Sequence, residues 1–194
     1  MNILLQEIAS IFHFIGNLLP GRIGVYYRRA LYKLSFKTLG KNLFSDVYIY
    51  IPFAKKISVG DNCRLNRFCS LVACEKSSIK IGNNVSINQM VNINAANGGE
   101  ITIGDNVLIG SNVVLRAADH NINDTSNNIN SSGHIAGKIN IHKNVWIASN
   151  CVILKNVTIE EGSVIGAGTV VTSDIKKNSV VIGNEAKVLR TREH

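Results

Sequence analysis

The chain has 194 residues and no second compositional regime of domain size, so a single domain is the economical reading. Its net charge of +8 suits a phosphate-bearing cofactor, an anionic glycan or an anionic membrane surface, but the basic residues are not interleaved with aromatics on one face, which argues against nucleic acid. Four cysteines without a C-x-x-C pair argue against zinc or redox chemistry and fit a reducing cytoplasm.

The first predicted element runs from Met1 to Leu19. Leu4, Ile8, Ile11, Phe12, Ile15, Leu18 and Leu19 form a stripe at helical spacing, with Gln6, Glu7 and His13 on other faces. Glu7 and the lack of a small-residue cleavage site argue against a membrane span and a secretory signal. Pro20-Gly21 ends this helix, and a second helical pattern covers Ile23 to Leu39 with Gly40 as its cap. Two readings of residues 1–55 stay open. One is a cap over the open end of a repeat domain; the other is a membrane-surface anchor with an apolar face in the lipid boundary and basic residues at anionic headgroups.

From Lys56 a repeat takes over and defines a second segment, 56–194. Its clearest part opens blocks of six at Ile141, Ile147, Ile153, Ile159 and Ile165, then Val171, with Val145, Cys151, Val157, Ser163 and Thr169 four positions after each opener. Neither a 3.6-residue helix nor a simple alternating strand gives this register. Period six is the mark of a parallel β-helix, in which three blocks make one triangular coil and aliphatic openers stack about 4.8 Å apart. The small fourth-following residues fit inward positions near corners, so Cys63, Cys69 and Cys151 are expected as buried thiols, with Cys74 close behind on the second coil. Gly, Asn and Asp fit corners that ask for positive φ. The phrase Ile57-Ser-Val59-Gly recurs with its third residue at 81, 103, 141 and 159, giving steps of 22, 22, 38 and 18 residues. The first two steps carry four extra residues at one corner, near 75–78 and 97–100. The third carries twenty, in a polar loop over about 116–138.

Long loops inside compact repeat domains tend to carry function. His120 stands at the root of this one at an outward position, where an imidazole can act as a base near neutral pH. Trp146 is the only aromatic residue after Phe68; it also points outward, one coil later. An isolated outward indole covers a ligand or a subunit contact.

On these residues the chain resembles the hexapeptide-repeat, left-handed β-helix acyltransferases, most closely sugar O-acetyltransferases of the maltose, galactoside and polysaccharide-biosynthesis type. The resemblance rests on Ile101-Thr-Ile-Gly-Asp-Asn-Val-Leu-Ile-Gly-Ser-Asn-Val, Asp119-His120, Asn144-Val-Trp-Ile-Ala-Ser-Asn, Val164-Ile-Gly-Ala-Gly-Thr-Val-Val-Thr and the tail from Val181 to Arg190. It implies an all-β fold, a left-handed parallel β-helix behind an N-terminal helical segment. It also implies a homotrimer with acetyl-CoA between neighbouring subunits and a saccharide or lipid-linked saccharide acceptor, in the cytoplasm or at the inner membrane face, without a metal. His120 is then the general base, and Trp146, Ser149, Ala167, Thr172, Ser173, Lys187 and Arg190 match cofactor-lining positions. Asn92 and Asn94 are the acceptor candidates, because Met90 stands where galactoside-type members carry Asn. Ala148, Lys155-Asn156 and Glu185 depart from the Gly, Pro-Gly and Pro usual at those corners. An amino-sugar N-acetyltransferase is the alternative within the same chemistry. A β-helix metal enzyme of carbonic-anhydrase kind would instead need His120, His134 and His142 to converge.

Overall fold

The structure is a computed structural model describing residues 3–122, 128–184 and 187–191, without the side chains of 3–9 and 188–191. Two helices, α1 (Ile3–Leu18) and α2 (Gly21–Ser35), precede a parallel β-helix. The second helix stops four residues before the predicted Leu39, because Phe36 turns extended and Thr38–Leu39 already pairs with the next coil.

Three flat faces recur in the order A, B, C. Face A stacks Thr38–Leu39, Ile57–Val59, Ser78–Ile81, Glu100–Ile103, Lys138–Ile141 and Val157–Ile159. Face B stacks Phe44–Ser45, Arg64–Leu65, Ser86–Ile87, Leu108–Ile109, Trp146–Ile147, Val164–Ile165 and Ser179–Ile182, closed by the antiparallel strand Lys187–Thr191. Face C stacks Ser70–Val72, Asn92–Asn94, Val114–Arg116, Val152–Ile153 and Val170–Val171. The predicted register is met pair by pair: Val59 on Ile81, Ile81 on Ile103, Ile103 on Ile141 and Ile141 on Ile159. Repeat strands nevertheless begin before Lys56. Thr38–Leu39, Phe44–Ser45 and Tyr50 pair with the coil above through a stretch that lacks clean aliphatic hexads.

Inward openers such as Ile87, Ile109 and Ile147 are fully buried, one above another. Cys63, Cys69 and Cys151 lie just inside corners, where each thiol donates to a carbonyl of the next coil (Gly82, Asn88 and Gly166). Cys74 differs: it is half-buried on an outer corner beside Ser77. Corners are turned by asparagines in the left-handed region, among them Asn42, Asn62, Asn84 and Asn106 at φ 55–58°. These four pass side-chain amide hydrogen bonds of 3.1–3.2 Å from coil to coil. Asparagine tolerates this backbone and satisfies its neighbour's amide at once.

Helix α2 closes the open end of the first coil. Tyr32 and Phe36 join the core, and the buried Arg28 donates to the carbonyls of Gly16, Leu19 and Ser45. Burial pushes the Tyr32 hydroxyl up to about 12.

Candidate active site

The long loop leaves the fourth coil from face C and returns to face A. Its base is an antiparallel ribbon, Ala118–His120 against His134–Ala136, which period-six reasoning does not reveal. The ribbon places His120 opposite His134, with exposed rings whose centroids lie 4.2 Å apart at a tilt of 37°. Arg116 Nε donates to the Ala118 carbonyl at 2.7 Å, and Lys155 Nζ on the next coil pairs with Asp119 Oδ2, bracing the ribbon to the body. Gly99 lies so close beneath that a Cβ there would meet the Ala117 methyl at 2.9 Å. His120 is therefore outward, held by its own backbone pairing and by its neighbour's ion pair.

The two four-residue corner extensions stack directly below this ribbon. With Phe53 and His134 they line a groove of about 540 Å³ that also presents Cys74, Glu75, Lys76, Asn97 and Gly98. His134 thus touches both the groove and the His120 ring. Burial pushes the Cys74 thiol up, but hydrogen bonds from Ser77 and from the backbone amides of Gly98, Lys76 and Asn97 outweigh it, leaving the thiol below its ordinary value.

A second groove, also about 540 Å³, runs along the B–C edge over four successive coils. Trp146 and Val164 wall it; Asn88 lies at one end, and its floor is Gly110, Ser111, Ala148, Ser149, Gly166 and Ala167. Small residues recur here because consecutive coils approach closely: a Cβ on Gly110 would sit 2.6 Å from the Ser149 nitrogen. The exposed Trp146 pairs in register with Leu108 and Val164. Lys187 lies exposed farther along the same face, paired with Ile182.

The residues matched to a cofactor site therefore fall into two sets. Trp146, Ser149 and Ala167 line the B–C groove, with Lys187 beyond them; Arg190 pairs with Val180 there, its side chain outside the described atoms. Thr172 and Ser173 sit exposed on the C–A edge, the edge that carries His120 and Lys155. Of the acceptor candidates, Asn94 spends its Oδ1 on the Ala96 amide at 3.0 Å, whereas the Asn92 Oδ1 is buried with no hydrogen-bond partner. His142 is exposed at the corner after face A, and no group of three or more His, Cys, Asp or Glu residues gathers into a metal-ligand cluster among the described residues. Sequence reasoning missed the Lys155–Asp119 brace, the corner groove and the glycine floor. The floor alone had a signal, since Gly110, Ala148 and Gly166 occupy one register at steps of 38 and 18 residues.

Residues 138–173 match the family description "Bacterial transferase hexapeptide (six repeats)", and residues 100–116 match "Hexapeptide repeat of succinyl-transferase". A protein of Staphylococcus aureus named as an acetyltransferase is 54% identical over 55 residues; the matched stretch spans 28% of this chain and only 28% of that relative's length. A maltose O-acetyltransferase from Clostridium difficile is 26% identical, with a TM-score of 0.64 over 100% of this chain and 90% of that one. An N-acyltransferase variant from Bacillus cereus, in complex with dTDP-4-amino-4,6-dideoxyglucose and coenzyme A, shares the fold at a TM-score of 0.76 and 24% identity, over 86% and 90% of the two chains. With the hexads, the stacked coils and these matches together, the repeat segments of the chain are similar to those of hexapeptide-repeat bacterial transferases.

Proposed function

We propose that the protein is an acetyl-CoA-dependent O-acetyltransferase acting on a sugar hydroxyl, in the assembly of a surface polysaccharide such as an O-antigen or capsule. The observation that carries this reading is the exposed His120, held at the mouth of an ejected ribbon on one edge of a β-helix whose other edge bears a long, small-floored groove beside Trp146. The two features belong to different edges of one chain. A homotrimer joins them, with the His120 edge of one copy against the Trp146 groove of the next. Such a groove fits the extended pantetheine arm of acetyl-CoA, with the indole near the acetyl end and Lys187 and Arg190 toward the phosphates.

The acceptor enters the corner groove beneath the ribbon, where Phe53 offers an apolar face and Glu75, Lys76 and Asn97 offer polar groups to sugar hydroxyls. His120 removes the hydroxyl proton as that oxygen attacks the thioester carbonyl; the carbon–sulfur bond breaks, and the imidazolium returns its proton to the departing coenzyme A thiolate. No covalent enzyme intermediate is needed. Use of acetyl-CoA places the reaction in the cytoplasm, including the inner membrane face when the acceptor is lipid-linked.

The test is release of coenzyme A thiol from acetyl-CoA in the presence of a glycan panel, for wild type, His120→Ala and Trp146→Ala. Loss of turnover in His120→Ala and a raised KM for acetyl-CoA in Trp146→Ala are expected; wild-type turnover in His120→Ala refutes the assignment. Mild alkali then separates the two acceptor chemistries, because an O-acetyl ester is lost whereas the amide of an amino sugar survives.

A further inference from the structure

We infer that the N-terminal helix pair docks the protein onto an anionic lipid surface, with the apolar outer face of α1 and the Ile23 and Leu34 side chains of α2 in the lipid boundary, and the basic outer line of α2 with an adjoining arginine-lined cavity at the headgroup phosphates. The helical repeat itself sets these faces. Gly16 is buried where α1 crosses α2, and a Cβ there would lie 3.2 Å from the Tyr27 ring. At 100° per residue, Ile11, Phe14 and Leu18 then point to the opposite side of α1, and all three are exposed. On α2 the buried line is Gly24, Arg28 and Tyr32. The outer line accordingly carries Arg22, Tyr26 and Lys33, flanked by Ile23 and Leu34, which are 78% and 84% exposed. Large aliphatic side chains this open to water, on two neighbouring helices, make a patch that a partner covers.

Charge identifies the partner. Beside Tyr26 lies a cavity of about 440 Å³ whose lining includes Arg22, Arg28, Arg29 and Arg67 and the single carboxylate of Asp46. That carboxylate is already engaged, accepting from Arg67 Nε at 3.0 Å and from the Val47 amide at 2.9 Å. Arg28 is committed to backbone carbonyls, and Arg29 to the Leu43 carbonyl. Four guanidiniums against one carboxylate leave an excess of cation at the rim of an apolar patch. A second copy of a chain with net charge +8 supplies no general complement to that excess, whereas a bilayer bearing anionic headgroups does. No described helix is long and apolar enough to cross a membrane, so the contact is one of surface docking. It would hold the coil bearing His120 three rungs from the docked end, about 14 Å along the axis.

The experiment is co-sedimentation of the full chain with vesicles of phosphatidylcholine, alone or mixed with phosphatidylglycerol. Binding is expected to the anionic vesicles, to weaken at high salt, and to fall by about fivefold or more for each of Arg22→Glu and Lys33→Glu. Phe14→Ser with Leu18→Ser should lower binding to both vesicle types while circular dichroism and turnover on a soluble acceptor stay at wild type. The inference is overturned if the wild-type chain stays in the supernatant with anionic vesicles, or if these variants sediment like wild type. It is equally overturned if Phe14→Ser with Leu18→Ser instead splits a solution oligomer, since the patch then joins copies of the chain. Sedimentation with vesicles and the oligomeric state are read without acetyl transfer, so this inference and the enzymatic reading can fail separately.

Discussion

Replacing Lys155 with Met tests how the His120 ribbon is held. Lys155 Nζ pairs with Asp119 Oδ2 and ties the ribbon to the fifth coil, with no part in the proposed proton transfer. The Asp119 side chain is 39% exposed and that of Lys155 23%, so solvent screening limits the pair to about 1 kcal/mol. Because about 1.4 kcal/mol corresponds to tenfold, removing the brace lowers the population of the positioned ribbon by about fivefold at most. Lys155→Met should therefore cost about fivefold in kcat/KM, whereas His120→Ala removes a general base worth about 10² to 10⁴. Thiol release at saturating acetyl-CoA is the assay, run on Lys155→Met, Asp119→Asn and the double variant at low and high salt. If the pair acts as a unit, the double variant is no slower than either single one, and salt narrows the gap from wild type. Two results would sink the reasoning: a loss in Lys155→Met as deep as in His120→Ala, or single losses that multiply in the double variant.

Three further outcomes follow from the packing. Ile109→Ala, in the fully buried column between Ile87 and Ile147, should cost about 2–5 kcal/mol in urea unfolding, while its outward neighbour Leu108→Ala, 52% exposed, stays within about 0.5 kcal/mol of wild type. Burial lowers the pKa of His13, which stacks on Tyr32 and hydrogen-bonds with Ser35. The unfolded chain therefore takes up that proton near pH 6.5 and the folded one only at lower pH, so stability is full above 6.5 and is lost as pH falls from there through the folded value; thermal midpoints across this window should fall less in His13→Gln. Iodoacetamide on the native protein should modify Cys74 first, because Cys63, Cys69 and Cys151 are buried and burial pushes the Cys69 thiol up to about 11; mass spectrometry finding Cys69 labelled as fast as Cys74 would contradict the packing.

The period of six in the residues is enough to dictate the coil, because each opener has one place to go: inward, on top of the residue 18, 22 or 38 positions earlier. Strand register, buried cysteines, asparagine corners and the ejection of residues around 116–138 all follow from that stacking. The first coil was hidden because Thr38–Leu39 and Phe44–Ser45 make it with two-residue strands and no aliphatic hexads, relying on α2 to seal its end. His120 and Trp146 were legible as outward residues on successive coils. What only the tertiary structure decided is which edge each occupies. An edge is a property of how three faces close around an axis, and partners such as Asp119 and Lys155, 36 residues apart, meet solely because coils stack. The His120–His134 pair, the corner groove and the floor beneath Trp146 arise the same way, from side chains distant in sequence and adjacent once each coil is laid upon the last.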